Sequence, residues 1–407
     1  MKIPPSLGSE VWLNDGALRR VFNALERAGG EARVAGGAVR NALMGEAVND
    51  IDIATTLNPE QVMKAGEKAR IGVHPTGIDH GTITLVVGGR PFEVTTLRVD
   101  VETFGRKARV AFTDDWQADA LRRDFTMNAL YCSRDGKIYD PTKGYTDILR
   151  KRVKFVGSPS ARIKEYALRI LRFFRFHARY GAGAPDAQGF AACVRHKAKL
   201  KGLSGERVRQ ELFKLLEAKR AAATIKLMAA RNVLKVLFAP AADLAPLVRM
   251  AKTDEAHGLK ADALLRLALI AKDAPGLRER LRLSNAETRR LAAIGHHAGP
   301  TPRLRERERR VVLYHVGQET WRDTVRLAWA KSKDPAGSKK WRDLLAFTDQ
   351  WPIPRFPLTG KDLLARGVKQ GPLLGKELGR LEDWWIASDF MADKDDLLRR
   401  LNPESKE

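Results

Sequence analysis

Asp50 and Asp52 flank a single isoleucine in the run DIDIATT, which makes them a pair of hard oxygen ligands at fixed spacing. On a β-strand, residues two apart share a face with Cα atoms roughly 6–7 Å apart. Both acids then point the same way while Ile51 and Ile53 turn to the core. Two carboxylates so placed can bridge a pair of divalent ions about 4 Å apart, which activates an attacking oxygen and stabilises a leaving phosphate. Mg²⁺ suits the pair, because the ligands are hard oxygens and a phosphate substrate supplies more of them. A solvated strand end fits a lone Asp-x-Asp equally well, so the neighbours must decide.

Upstream, Gly36-Gly37 precedes the run AVRNALMG, which puts backbone N–H groups and a helix N-terminus near the acids, ready for a triphosphate. Arg40, one turn into that helix, can clamp the same phosphates. Taken alone, the glycine pair also fits an ordinary turn. Glu93 offers a third carboxylate near the metals, or a base for an attacking hydroxyl, if its strand turns it to that side. The strand register that decides this is not fixed by the sequence. His80, in a DHGT turn, reads as a hydrogen-bonding turn residue.

These groups need elements to hold them. TITLVV, a Gly88-Gly89 turn and PFEVTTLR read as a hairpin over residues 82–97. With DIDIATT as another strand and VFNALERAG and AVRNALMG as helices, residues 1–150 form an α/β domain. From about residue 160 the apolar spacing is helical, with capping signals such as Ser284 with Glu287, and the remainder reads as all-α. Trp351-Pro-Ile-Pro-Arg-Phe-Pro reads as an extended connector, after which Thr359 and Gly371-Pro372 open two helices. The expected divisions are 1–150, 151–220, 221–350 and 351–407.

With 407 residues, several domains are expected. A formal charge of +24 attracts polyanions, favouring nucleic acid or an anionic membrane surface. Cys132 and Cys193 have neither disulfide nor metal-ligand spacing and read as buried thiols of a reducing compartment. The N-terminal run MKIPPSLGSEVWLNDG resembles no secretion signal and no apolar run approaches membrane-spanning length, so a cytoplasmic protein is expected.

The order and spacing of several motifs carry a resemblance. GGAVRNALMGEAVNDIDIATT, GIDHGTITLV, FEVTTLR, RRDFTMNALY, YDPTKGYTDI and LRILRFFRF together resemble the class II tRNA nucleotidyltransferase and bacterial poly(A) polymerase family, over about residues 33–217. The resemblance implies a polymerase-beta-like α/β head followed by an all-α neck, body and tail. It also implies transfer of nucleotides from CTP and ATP to the 3′ end of tRNA with release of pyrophosphate, without membrane or obligate protein partner. Asp50 and Asp52 then hold Mg²⁺, while Gly36, Gly37 and Arg40 meet the triphosphate. Arg123 and Asp124, with Asn128 in the same motif, match the element that recognises the ribose; a carboxylate there accepts from the 2′-hydroxyl.

Arg169, Arg172, Arg175 and Arg179 fall on one stripe of a helix expected to begin near residue 162, opposite Ile170, Leu171, Phe173 and Phe174. Relatives carry Glu-Asp-x-x-Arg here, and the Asp and Arg read the incoming base. An acceptor beside a donor matches the amine and ring nitrogen of cytosine and of adenine, and leaves uracil and guanine unsatisfied. This chain reads Glu165-Tyr166-Ala167-Leu168-Arg169, with tyrosine where the aspartate belongs. The expectation is that Arg169 still reads the base, that Glu165 or Tyr166 supplies the acceptor, and that UTP and GTP are rejected less well.

The segment VDVETFGRKARVAFTDDWQADALRRD, containing Gly105, resembles a flexible family loop that helps switch between C and A addition. In LSGERVRQELFKLL, Ser204 reads as an N-cap and Arg207 as a nucleotide contact. TPRLRERERR and RMAKT are expected to track RNA phosphates, and Trp384-Trp385 to be core rather than a base-stacking platform. A poly(A) polymerase or a partial CCA-adding enzyme shares the head motifs. A silent RNA-binding relative would lack a carboxylate or a phosphate-loop glycine, and all of them are present.

Overall fold

A computed structural model describes residues 3–104, 107–271, 274–296 and 299–401. The chain divides into two units, Met1–Pro240 with Pro275–Leu283, and Ala241–Ala274 with Ser284–Glu407. The first begins with α1 (Gly16–Arg27), β1 (Ala32–Ala35), α2 (Gly37–Leu43), β2 (Asp52–Thr55), α3 (Pro59–Lys68), β3 (Gly72–Gly77), β4 (Thr82–Val87) and β5 (Arg90–Thr96). It continues through β6 (Arg98–Phe104), β7 (Lys107–Phe112), α4 (Trp116–Leu121), β8 (Tyr131–Cys132), β9 (Ile138–Tyr139) and α5 (Gly144–Leu149). The helices α6 (Pro159–Glu165), α7 (Arg169–Tyr180), α8 (Ala187–Arg195), α9 (Gly205–Leu216) and α10 (Ala221–Ala230) complete the run.

Seven strands form one mixed sheet in the order β3-β4-β5-β2-β1-β8-β9. The expected hairpin is β4–β5, joined through Gly88 and Gly89, both at positive φ (58° and 80°), where L-residues are strained. Alternation sets the faces. Ile83, Leu85, Phe92, Val94, Ile53 and Val34 are all but fully buried beneath Leu18, Val21, Phe22 and Leu25 of α1 and Val62 of α3. Each such aliphatic burial contributes about 1.5–3 kcal/mol. On the opposite face Ala35 and Ala54 are covered by Trp116 and Ala120 of α4. Asp52 and Glu93 stay exposed there.

The stretch after β5, expected as a flexible loop, forms a two-stranded ribbon, β6–β7, followed by α4; Gly105 lies outside the described residues. The helix expected from residue 162 is two helices, because Tyr166 takes an extended backbone (φ −151°, ψ 104°) between α6 and α7. The break is filled locally. The Arg162 carbonyl keeps its helical bond from the Tyr166 N–H at 3.3 Å and also accepts a guanidinium N–H of Arg169 at 2.7 Å. Ser204 does precede α9 but makes no side-chain cap bond.

The second unit is helical, with α11 (Ala245–Ala256), α12 (Ala263–Ile270), α13 (Ala274–Leu281), α14 (Asn285–His296), α15 (Glu306–Lys331), α16 (Lys339–Gln350), α17 (Gly360–Leu364), α18 (Pro372–Ala387) and α19 (Lys394–Arg399). From Pro275 to its end α13 belongs to the first unit. Ser284 and Glu287 exchange the expected capping bonds, Thr359 caps α17, and Gly371-Pro372 opens α18. Trp385 is core, and Trp384 packs beside that core with the Arg400 guanidinium 3.8 Å above its ring. Several arginines of the basic runs have local partners. Arg307, Arg309 and Arg249 donate to backbone carbonyls, and Arg310 pairs with Glu306 and Asp389. Cys132 and Cys193 are buried free thiols. No helix among the described residues is long and apolar enough to cross a membrane.

Candidate active site

β2 starts at Asp52, so Asp50 lies in the segment leading into it. Exposure still alternates through the four residues: Asp50 out, Ile51 in, Asp52 out, Ile53 in. The register the sequence left open is fixed by the pairing of β2 with β5, which is parallel and puts Asp52 opposite Glu93. Cross-strand partners share a face, so Glu93 stands beside Asp52. Although Asp52 reaches solvent, the protein packed around it strips part of its hydration, and this, then Glu93 and Asp50, pushes its carboxyl up against the opposing pull of Arg123. A cation placed there would relieve that repulsion, so the hard oxygen donors fit a divalent ion. Among the described residues no three His, Cys, Asp or Glu side chains close a metal site on their own. An ion at Asp50 and Asp52 would therefore need further ligands from substrate or water.

The Gly36-Gly37 corner sits where the sequence places it. Gly36 has φ 64° and ψ −107°, and a Cβ built there would come 3.0 Å from a guanidinium nitrogen of Arg123. Its own N–H bonds to the Leu130 carbonyl. The first intrahelical bond is Arg40 N–H to the Gly36 carbonyl, so Gly37, Ala38 and Val39 present the N–H groups without intrahelical acceptors. Gly36→Ala combines a disallowed backbone with a clash. It is expected to lower the unfolding free energy by about 1–3 kcal/mol, measured in urea; an unchanged midpoint contradicts the assigned backbone.

Arg40 is buried. Its guanidinium donates to Asn128 Oδ1, to Asn41 Oδ1 and to the Tyr180 hydroxyl, with the Tyr180 ring 4.3 Å away. It has no ion pair with a carboxylate among the described residues. Arg123 is held on its other side by Asp119 and by the Tyr131 hydroxyl, which itself donates to Asp119 at 2.6 Å. Asn128 links two of the expected binding groups: its Oδ1 accepts from Arg40 and its Nδ2 donates to Asp124. Asp124 also accepts from Arg172 Nε at 2.7 Å and from the Phe125 N–H. Burial pushes the Asp124 carboxyl up, but Arg172 and these hydrogen bonds outweigh it and hold it below the usual range. Arg172 in turn reaches towards Glu211 of α9, which takes Arg175 Nε at 3.0 Å.

The expected base-reading residues separate. Tyr166 and Arg169 line the same cleft as Asp52, Gly36, Gly37, Arg40, Arg123, Asp124, Asn128 and Arg172, a space of about 610 Å³. Glu165 does not line it; its carboxylate pairs with Arg162 and Arg169. Arg175 and Arg179 line a neighbouring pocket of about 660 Å³, with Arg40 and Phe176 shared between the two. His80 sits at the end of a 3₁₀ turn, its carbonyl taken by Arg98, and lines neither. Arg207 lines the cleft and donates to the Tyr166 hydroxyl at 2.6 Å.

Six arginines and two aspartates line this space, a balance that selects an anionic ligand. Asp119, Tyr131, Tyr180 and Glu211 hold its arginines and were not picked out from the sequence. Asp119 carried a signal, since it stands four residues before Arg123 on helical spacing. Tyr180 and Glu211 carried none, because their partners are distant in the chain.

Residues 32–154 match the family model described as a poly A polymerase head domain, and residues 185–245 match one described as a probable RNA and SrmB-binding site of polymerase A. The chain is similar to CCA tRNA nucleotidyltransferase 1, mitochondrial, of Danio rerio, at 36% identity over 91% of this chain and 87% of that protein. The Homo sapiens protein of the same name is 34% identical over 90% and 86%. Among solved structures, the Bacillus stearothermophilus CCA-adding enzyme in complex with CTP superposes with a TM-score of 0.77 at 27% identity, covering 95% of this chain and 98% of that one.

Proposed function

We propose, for a chain that belongs to the CCA tRNA nucleotidyltransferase family, that it completes the 3′ end of tRNA with C, C and A, using Mg²⁺ at Asp50 and Asp52. The chain is an RNA 3′-terminal nucleotidyltransferase, and its family uses a divalent metal. One observation carries the assignment of the site. Asp52 shares a cleft with the Gly36-Gly37 corner and with Arg40, Asp124 and Arg169, so acid, phosphate, ribose and base groups converge.

In this reading Arg40 and the N–H groups that follow Gly36 hold the triphosphate, and Asp124, oriented by Arg172 and Asn128, accepts from the ribose 2′-hydroxyl. Arg40 suits the triphosphate because it is buried, oriented by neutral partners and without an ion pair among the described residues. Asp50 and Asp52 hold the ion, which when bound supplies charge stabilisation at the phosphate and lowers the pKa of the attacking hydroxyl. The RNA 3′-oxygen forms a bond to the α-phosphorus as the bond to the β-phosphate bridging oxygen breaks, and pyrophosphate leaves. Glu93, the partner of Asp52 in the ladder, takes the hydroxyl proton in this reading. Asn128 and Arg123 act by orienting Arg40, Asp124 and the Gly36 corner. Residues 1–150 form the catalytic head, 151–220 a nucleotide-selecting neck, and 221–350 and 351–407 the body and tail that bind tRNA. The cytoplasm is the proposed compartment, supported by two buried thiols without a disulfide.

The test is stoichiometry. With tRNA ending at its discriminator base, CTP, ATP and MgCl₂, the protein should release three pyrophosphates per tRNA, none with ATP alone, and none after EDTA. Release that continues far beyond three with ATP alone identifies a poly(A) polymerase instead.

A further inference from the structure

Base selection needs an acceptor if exocyclic amines are to be read, and among the described residues lining the cleft near Tyr166 each side-chain acceptor already has a donor. The Tyr166 phenol oxygen already accepts from Arg207 Nη1 at 2.6 Å, and the Arg207 guanidinium lies 5.6 Å from the centre of the same ring. A phenol that has accepted one strong bond has its O–H left to give. Asp124, held by Arg172 and Asn128, is committed to the ribose in the reading above, and Glu165 lies outside the cleft lining, paired with Arg162 and Arg169. At the break between α6 and α7, the carbonyls of Tyr166, Ala167 and Leu168 receive the N–H groups of Arg169, Ile170 and Arg172. Arg169 directs one nitrogen, Nη1, to Arg162 and Glu165, and its other N–H groups have no protein partner among the described residues.

We propose that this chain selects the base with hydrogen-bond donors alone, from Arg169 and the Tyr166 hydroxyl, with Arg207 as the positioning residue that turns the hydroxyl outward. Cytosine presents a ring nitrogen and a carbonyl oxygen side by side as acceptors, and adenine presents ring nitrogens, so both satisfy donors. Their amines go unread. Uracil is disfavoured because its ring N–H meets another donor; guanine presents a ring N–H on the corresponding edge as well, but its N7 and O6 edge satisfies two donors, so GTP is rejected less well than UTP.

The inference rests on the nucleotide-adding function proposed above, and its test separates the two. The probes are the ribonucleoside triphosphates of 2-pyrimidinone, which is cytosine without its amine, and of unsubstituted purine, which is adenine without its amine. Single-turnover kcat/KM on tRNAs poised for C and for A is compared with CTP and ATP. A hydrogen bond to the amine would be worth roughly a threefold to tenfold change; donor-only reading predicts that each analogue stays within about threefold of its parent. A larger loss with efficient CTP and ATP addition overturns this inference alone. Failure to add CTP overturns the underlying function. Tyr166→Asp restores an acceptor, and a folded variant should then lose about tenfold on each analogue relative to its parent. No new dependence on the amine in that variant also contradicts the proposal; if the variant does not fold, the wild-type comparison alone decides.

Discussion

Asp52→Asn should cut nucleotide incorporation by about 10³-fold or more, while tRNA binding and the thermal midpoint are retained. The side chain keeps its size and its place at the start of β2 opposite Glu93, and loses the charge that makes it a ligand. Folding gives no reason for loss. Partial desolvation and two neighbouring acids disfavour the ionised Asp52 carboxyl, against the pull of Arg123, so neutralising it removes a repulsion rather than a support. Filter binding, melting and single-turnover incorporation separate the two effects. Activity within tenfold of wild type would move the metal ligands elsewhere.

Arg172→Ala should have the second largest effect, and on stability as much as on chemistry. Arg172 holds Asp124, whose side chain is 11% exposed, and reaches towards Glu211, 9% exposed. Removing the cation leaves buried acids with reduced compensation. Because Arg172 is itself 31% exposed, the cost falls below the full buried-pair range, at about 2 kcal/mol at neutral pH. The sign with pH follows from the Asp124 carboxyl lying below its usual range. Its ion pair stabilises the fold above the unfolded-state pKa of about 4 and is lost as pH falls through the lower folded-state pKa. The gap between wild type and variant should therefore be full near pH 7 and shrink below about pH 4. Urea unfolding at both pH values checks it, and a gap independent of pH contradicts the pairing. Discrimination against deoxynucleotides should also fall by about tenfold, as one charge-assisted hydrogen bond loses its orientation.

Local signals were legible and non-local ones were not. The alternation of Asp50, Ile51, Asp52 and Ile53 announced its own faces because the strand period is fixed by the backbone. Gly36 was legible for the same reason, as its positive φ is a local demand. Glu93 could not be placed, since its face has meaning only once β5 lies parallel to β2. The helix break at Tyr166 is hidden because the helical spacing on either side looks continuous, and the Arg169 guanidinium that bridges it to Arg162 and Glu165 reads only as part of the stripe. Counting charges does not show how the basic side chains are held. TPRLRERERR reads as a phosphate-tracking face, yet three of its arginines cap carbonyls or pair with acids.

The most direct measurement is to sequence the 3′ ends made from a tRNA lacking CCA, with CTP and ATP supplied together and separately, by the wild type and by Asp50→Ala, Asp52→Ala protein. A cleft that adds C, C and A predicts CCA ends with both nucleotides, ends rich in C with CTP alone, and unextended ends from the double variant. Extension by the double variant, or ends carrying adenosine tails without cytidine, would contradict it.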